Sequence, residues 1–454
     1  MSAPSRLSSP IVDSATRKAA WRIIPLVMLM YVISYIDRVN IGFSAANMKA
    51  DLGLSSAAYG LGAGLFFVGY VFLEVPSNII LHKVGARVWL ARIMVTWGII
   101  SGSMAFVNSE AMFYLVRILL GVAEAGFVPG VIYLLSIWFP SHVRARMVAL
   151  FIIAVPLAVV IGAPLSALLI EHGHGVLGLA GWRFMLFVEA IPAVVVGILA
   201  FFALPSSPTK ARWLTDDERH HLIALLDREA DAASHHGASS ALAALKDWRI
   251  YAVSMIGFGV NMGGYALSFF LPQVITQFSA QFGQSFSLFE TAMLTAIPYT
   301  CAVIALWFVG KSSDKRQERH FHAAVPLIIG AIGFASALYL PNTAAVMVAI
   351  SIGAAGSYCV LPIFWQLPPR FLTGAAAAAG MGVAGGLANV AGFVSPYMTG
   401  AIETATGSYK PAMWIVAAVM MISAGIALAL RHRPEFSNPT TQPTNTHRKD
   451  QETH

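Results

Sequence analysis

The chain has 454 residues, 57% of them hydrophobic and 11% charged, with a formal net charge of +7. A soluble domain carries about 25% charged residues, so there is too little charge here to cover a soluble protein of this size, and the apolar surface must face lipid. The basic excess is not a nucleic-acid footprint either, because Lys and Arg recur in short clusters between apolar stretches rather than on one face or domain.

The first 22 residues are polar and basic. The apolar stretch after them is longer than the roughly 7–15-residue core of a cleavable signal, so it reads as a helix that stays. A spanning helix needs about 20 mainly apolar residues. Such stretches occur at 23–46, 58–80, 93–107, 112–136, 148–170 and 183–203, and again at 250–277, 288–309, 323–340, 344–366, 375–402 and 411–430. That gives an N-tail (1–22), a six-helix bundle (23–203), a polar linker (204–249), a second six-helix bundle (250–430) and a polar C-tail (431–454) expected to be disordered. In the linker, Thr215 followed by Asp216, Asp217 and Glu218 reads as a helix start: a capping hydroxyl, then acids in the first turn. Cys301 and Cys359 lie far apart in apolar spans and read as packing residues, without a disulfide or metal site.

With the N-terminus inside, the N-tail, 81–92, 137–147, the linker, 310–322, 367–374 and the C-tail hold 24 of the 29 Lys and Arg. The outer loops and their edges hold Lys49, Arg183 and Lys410. This bias predicts that both termini are cytoplasmic, in a bacterial inner membrane. Gly60, Gly62, Gly64 and Gly69 in the second span, and Gly380 to Gly386 in the eleventh, predict close backbone approach. Pro76, Pro129, Pro156, Pro298 and Pro396 predict bends.

An ionisable group inside the bilayer costs at least about 2.5–3.5 kcal/mol and needs a reason. The first span carries Asp37 and Arg38. The fourth carries Arg117 and, nearly two turns on, Glu124, which puts the two on one face about 10 Å apart. Arg38 and Arg117 suit a carboxylate's two oxygens, and Asp37 and Glu124 suit proton carriage. The competing reading makes these four residues structural ion pairs, Asp37 with Arg117 or Arg38 with Glu124, that hold two helices together. Glu74, near Pro76 and Asn78, reads as a structural or gating partner, and Glu189 as a bond between neighbouring helices. The second half has no mid-span charge but offers Asn261, Tyr265, Tyr299, Tyr358, Trp365, Gln366 and Asn389, a neutral polar wall facing a charged one. Asn389 sits in a Gly-rich span with no evident partner.

The runs Tyr35-Ile36-Asp37-Arg38-Val39-Asn40, Glu74-Val75-Pro76-Ser77-Asn78, Arg117 to Gly130 and Trp138-Phe139-Pro140 with Arg144-Ala145-Arg146 resemble the major facilitator superfamily, specifically its anion:cation symporter family, over about 20–430. Gly178 to Arg183 and the Leu204-Pro205 linker start are most similar to bacterial tartrate, phthalate and hydroxyphenylacetate permeases. The resemblance implies rocking of two six-helix halves around a midplane site. It also implies carboxylate binding at Arg38 and Arg117, proton coupling at Asp37 and Glu124, and substrate contact at Tyr35 and Tyr70. The superfamily's loop signature after the second span lacks its usual acid here, reading His82-Lys83-Val84-Gly85-Ala86-Arg87.

The expectation is therefore an all-α membrane protein of twelve transmembrane helices in two pseudo-symmetric six-helix bundles, importing a small organic anion by proton symport. Organic anion exchange, or antiport of another kind, is the alternative. Tyr35, Tyr70, Asn389, Trp365 and Gln366 join Arg38 and Arg117 as the expected substrate site. No mid-span His or nucleophile–base grouping argues for an enzyme. Expected partners are the anion and the bilayer, with the proton as coupling ion, no cofactor, metal or nucleic acid, and a monomeric chain.

Overall fold

The computed structural model describes residues 10–235, 246–316, 318–337, 339–372 and 374–431. The expected C-tail beyond Arg431 and part of the linker lie outside these. Among the described residues the long elements are all helices. The first half contains α1 (Pro10–Leu52), α2 (Ser56–Val84), α3 (Ala86–Ser103), α4 (Glu110–Glu124), α5 (Phe127–Trp138), α6 (Ser141–His172) and α7 (Gly181–Ala203). The linker helix α8 (Asp216–His235) follows. The second half contains α9 (Trp248–Gln281), α10 (Leu288–Arg316), α11 (His320–Ala337), α12 (Thr343–Tyr358), α13 (Leu361–Gln366), α14 (Gly374–Asn389), α15 (Ala391–Thr406) and α16 (Lys410–Arg431).

Eleven stretches are long and apolar enough to cross a membrane, with α4–α5 and α12–α13 each counting as one. The short helices α14 and α15 meet at Val390 and together supply the length of one more. Every span read from the sequence is thus a helix or a helix pair. Two differences have local causes. The first helix begins at Pro10, inside the expected tail, because its first turns dock on α8. There the Ser14 hydroxyl donates to Glu218 Oε1 at 2.8 Å, Lys18 Nζ reaches Glu218 Oε2 at 2.9 Å, and the Arg22 guanidinium lies 4.7 Å from the Trp213 ring centre.

The second difference is a break in the fourth span. Gly126 takes a left-handed conformation (φ 87°), which a Cβ would strain. A Cβ there would also strike the Ser77 hydroxyl of α2. Pro129, three residues on, has no N–H to give the Ala125 carbonyl, and the Ser77 hydroxyl satisfies that carbonyl instead at 2.6 Å. Pro129 was the expected bend; the turn itself falls upstream of it, and Glu124 becomes the last residue of α4.

The linker helix starts as read. Thr215 Oγ1 accepts from the Glu218 amide (3.2 Å) while Glu218 Oε2 accepts from the Thr215 amide (3.0 Å), a reciprocal capping box. At its far end Glu229 accepts from the Ser141 amide and hydroxyl, fixing α8 to the start of α6.

The two halves meet closely at the end of the molecule away from α8. A Cβ on Gly60 would strike the Pro396 carbonyl, one on Gly400 the Ser56 carbonyl, and one on Gly42 the Ser268 carbonyl, so α2 packs on α15 and α1 on α9 with backbones nearly touching. Lys49 Nζ donates to Gln273 Oε1 at 2.9 Å, and the Ala57 amide to Thr404 Oγ1 at 2.9 Å, across the same seam. Toward α8 the halves separate and enclose a cavity.

Burial raises the Glu218 carboxyl, but its bonds from Lys18, the Thr215 amide and Ser14 outweigh that and hold it down at about 2. An unfolded Glu titrates near 4.3. The α1–α8 docking therefore has its full stabilisation above about pH 4.3, loses it gradually below, and has none left below about pH 2. Hydrogen exchange of α8 should stay slow at pH 5 and speed up in Glu218→Gln at the same pH. Equal protection in the variant would show that Glu218 does not hold the helix.

Candidate functional site

The cavity between the bundles has a volume of about 550 Å³. From the first half, α1 brings Tyr31, Tyr35 and Arg38 to it, and α2 brings Tyr70 and Glu74. From the second half come Asn261 and Tyr265 of α9, Tyr358 of α12, Trp365 of α13 and Asn389 of α14. His82 and Arg144 line its mouth on the α8 side, where Arg144 also reaches Glu229. The mouth is therefore on the side of the linker, and the seam described above closes the other end.

Arg38 is the charged centre of this space. Its Nη2 pairs with Glu124 Oε1, and the Ser34 hydroxyl, one turn earlier on α1, donates to the same oxygen at 2.8 Å. Both residues are nearly sealed from solvent (6% and 1% exposed). The break after Glu124 ends α4 beside α1, which is how a residue of the fourth span meets one of the first. Around the guanidinium stand the rings of Phe66 (5.2 Å to its carbon), Tyr35 and Tyr70 (both 5.7 Å) and Phe67 (5.9 Å). Ring faces at this range attract a cation. Arg38 Nε has no acceptor, so the guanidinium is paired through one edge and has a donor to spare.

Arg117 lies elsewhere. It is buried against α2, donating from Nε to the Gly62 carbonyl (3.1 Å) and from Nη2 to the Ala63 carbonyl (3.0 Å). It does not line the cavity. Gly69 and Gly121 make this possible: a Cβ on Gly121 would strike the Phe66 carbonyl and one on Gly69 the Ile118 carbonyl, so α2 and α4 touch backbone to backbone. Arg117 and Glu124 share a face of α4 as read, but one serves α2 and the other α1.

Asp37 is also outside the cavity. It points into the first bundle, where neither carboxylate oxygen has a hydrogen-bond partner. Glu189 of α7 bonds neighbouring helices, as its position suggested, accepting from Asn40 Nδ2 (2.9 Å) and the Ser166 hydroxyl (2.7 Å).

On the opposite wall Asn389, which had no evident partner in the sequence, accepts from Asn261 Nδ2 (3.3 Å) and the Tyr265 hydroxyl (3.4 Å). Trp365 lines the cavity and packs over Gly385; Gln366 does not line it. Three hydroxyls singled out in the sequence, those of Tyr35, Tyr299 and Tyr358, gather around Ser268, which was not: the Tyr35 hydroxyl lies 3.4 Å from both Ser268 and Tyr358, and Ser268 lies 3.3 Å from Tyr299. Tyr31, stacked on Phe151 at 4.4 Å, was missed as well. The only signal of Ser268 and Tyr31 was a Ser or Tyr in an apolar span.

The Major Facilitator Superfamily sequence model matches residues 27–396. A protein of Agrobacterium vitis named "Putative tartrate transporter" is 44% identical over 94% of this chain and 98% of its own. The "Quinolone resistance transporter" of Acinetobacter baumannii is 35% identical over 94% and 97%. Among solved structures, a bacterial homologue of the human lysosomal transporter Spinster, in an inward-facing and occupied conformation, superposes with a TM-score of 0.72 at 17% identity, covering 95% of this chain and all of that one. The helices, the interbundle cavity and these relatives agree: the chain is a membrane transporter, not an enzyme, and belongs to the Major Facilitator Superfamily.

Proposed function

We propose that the protein imports a small organic anion (tartrate, a sugar acid or an aromatic carboxylate) across the bacterial inner membrane by proton symport with alternating access. Both termini are cytoplasmic, so the cavity faces inward in this state. The observation that carries the reading is the pair of Arg38 and Glu124: one cavity-lining cation, neutralised by one acid. A carboxylate reaching Arg38 competes with Glu124 for it. Two anions on one buried cation leave a net negative charge in a low-dielectric space, which is costly. A proton on Glu124 removes that excess and releases the guanidinium to the substrate in the same step. Substrate and proton therefore load together. The neutral wall of Asn261, Tyr265 and Asn389 meets the uncharged part of the substrate without repelling its charge. Tyr35 and Tyr70 flank the bound carboxylate, and Trp365 bounds the site on the other side, with Gln366 behind it. Glu74 acts at the mouth as a gating acid. Arg117 supports the site from behind by holding α2, and Asp37 carries a second coupling proton inside the bundle.

The relative named for tartrate supports the choice of a carboxylate. The charge on the cavity wall supports it too, since an arginine at the centre disfavours a cationic substrate.

In proteoliposomes with an inward proton gradient, Glu124→Gln should abolish accumulation of the transported acid while keeping exchange of preloaded anion. Accumulation at the parent's level would sink the coupling role, and exchange without any proton-driven uptake in the parent itself would establish the exchanger instead. Arg38→Lys should weaken substrate binding by about 10- to 100-fold, because a point charge cannot replace the fork and a charge-assisted hydrogen bond is worth about 1.5–3 kcal/mol. A titration giving the parent's affinity would remove Arg38 from the site.

A further inference from the structure

Asp37 is the one acid of α1's buried stretch, and its surroundings differ from those of Glu124. It is 3% exposed, it lies outside the cavity, and neither oxygen is bonded. Beside it stand the Trp97 indole and the Ser101 hydroxyl, one turn apart on α3. The Trp97 Nε1–H is itself fully buried and has no acceptor. A carboxyl without a partner next to an indole N–H without a partner is two unmet requirements at one place. The two donors favour one charge state: an ionised carboxylate accepts from both in charge-assisted bonds, whereas a carboxylic acid accepts more weakly and turns its own O–H on the Ser101 hydroxyl.

The charged groups facing Asp37 are all acids: Glu189 from α7 and Glu124 from α4. Glu189 is occupied by Asn40 and Ser166, and Glu124 by Arg38 and Ser34. The buried lengths of α5 (127–138), α6 (147–170) and α9 (250–281) contain no Asp, Glu, Lys, Arg or His. Among the described residues, none of these elements sets a cation against Asp37, and the two α3 donors are left to compensate it.

We infer that Trp97 and Ser101 are positioning residues for proton coupling: they form a receiving station on α3 that holds Asp37 most firmly when it is ionised. This deepens the proposed function and rests on Asp37 carrying a coupling proton. Deprotonation draws the carboxylate onto α3, so that the charge state of α1 is read as a contact between two helices of the same bundle.

The test measures uptake of the transported acid into proteoliposomes as a function of external pH, at fixed internal pH, for the parent, Trp97→Phe, Ser101→Ala and the double variant. Removing donors to the ionised form makes Asp37 easier to protonate, so the uptake midpoint should move up by about one pH unit, more in the double variant. Exchange of preloaded anion reports folding and insertion, which a pH shift does not. Trp138→Phe, another fully buried tryptophan of the same bundle, should leave the midpoint in place. An unmoved midpoint in both α3 variants, with Asp37→Asn unable to accumulate, overturns this inference and leaves symport standing; so does an equal shift in Trp138→Phe. Parent-level accumulation by Asp37→Asn overturns the coupling role on which it rests.

Discussion

The arrangement depends on a single constraint: a charged side chain inside a bilayer must be met by something. Arg38 and Glu124 meet each other, and the rest of the first bundle is built to allow it. Gly126 ends α4 so that Glu124 faces α1. Gly69 and Gly121 let α2 and α4 touch, which brings Phe66 and Tyr70 close enough to wall in the guanidinium. Arg117 obeys the same constraint differently. Main-chain carbonyls have a second lone pair to offer, and those of Gly62 and Ala63 receive it. A membrane arginine so bound fixes the helix that carries the cavity's aromatic wall.

The two halves divide the work unequally. The first holds every mid-span charge, and the second answers with amides and hydroxyls. Their seam away from α8 is made of Gly42, Gly60, Gly64 and Gly400 against main-chain carbonyls and small contacts. Such surfaces let the helices pack closely. Polar bonds cross between the halves as well: Lys49 with Gln273 and Ala57 with Thr404 at the very end, the Tyr59 hydroxyl on the Phe269 carbonyl, and Tyr35 with Ser268 and Tyr358 nearer the cavity. The linker, by contrast, is tied to the first half at three places: Glu218 and Glu229 of α8, and Trp213 just before it.

Much of this was legible in the sequence because the bilayer imposes a length and a polarity on every span. The twelve apolar stretches, the Thr215 cap and the helix-bonding role of Glu189 follow from local pattern. The break at Gly126 did not, because Pro129 is the louder signal and the reason for the turn lies on another helix, in Ser77. Pairing was the main gap. Of the two ion pairs the sequence offered, Arg38 with Glu124 forms across 86 positions, while Arg117 turns to carbonyls rather than to Asp37; Asn261 and Asn389, 128 positions apart, were not matched at all. Periodicity places a residue on a face but does not say which helix that face meets. Arg117 is the clearest case. Its type and depth suggested a ligand contact, and nothing in one sequence could reveal that two glycines bring a neighbouring backbone within its reach.

The two acids of the proposed mechanism are not equivalent, and the difference explains why two are needed. Glu124 competes directly with the substrate for Arg38, so its proton is linked to binding. That linkage alone makes an exchanger as well as a symporter, since it says nothing about which empty states can reorient. Asp37 sees neither substrate nor cavity. Its charge is felt only by helices inside the first bundle, through Trp97, Ser101 and the neighbouring Glu189. An unpartnered charge there penalises any conformation that does not bring α1 and α3 together around it. In the proposed mechanism the first acid alone couples loading, and the second, placed where it is, is the one that couples movement.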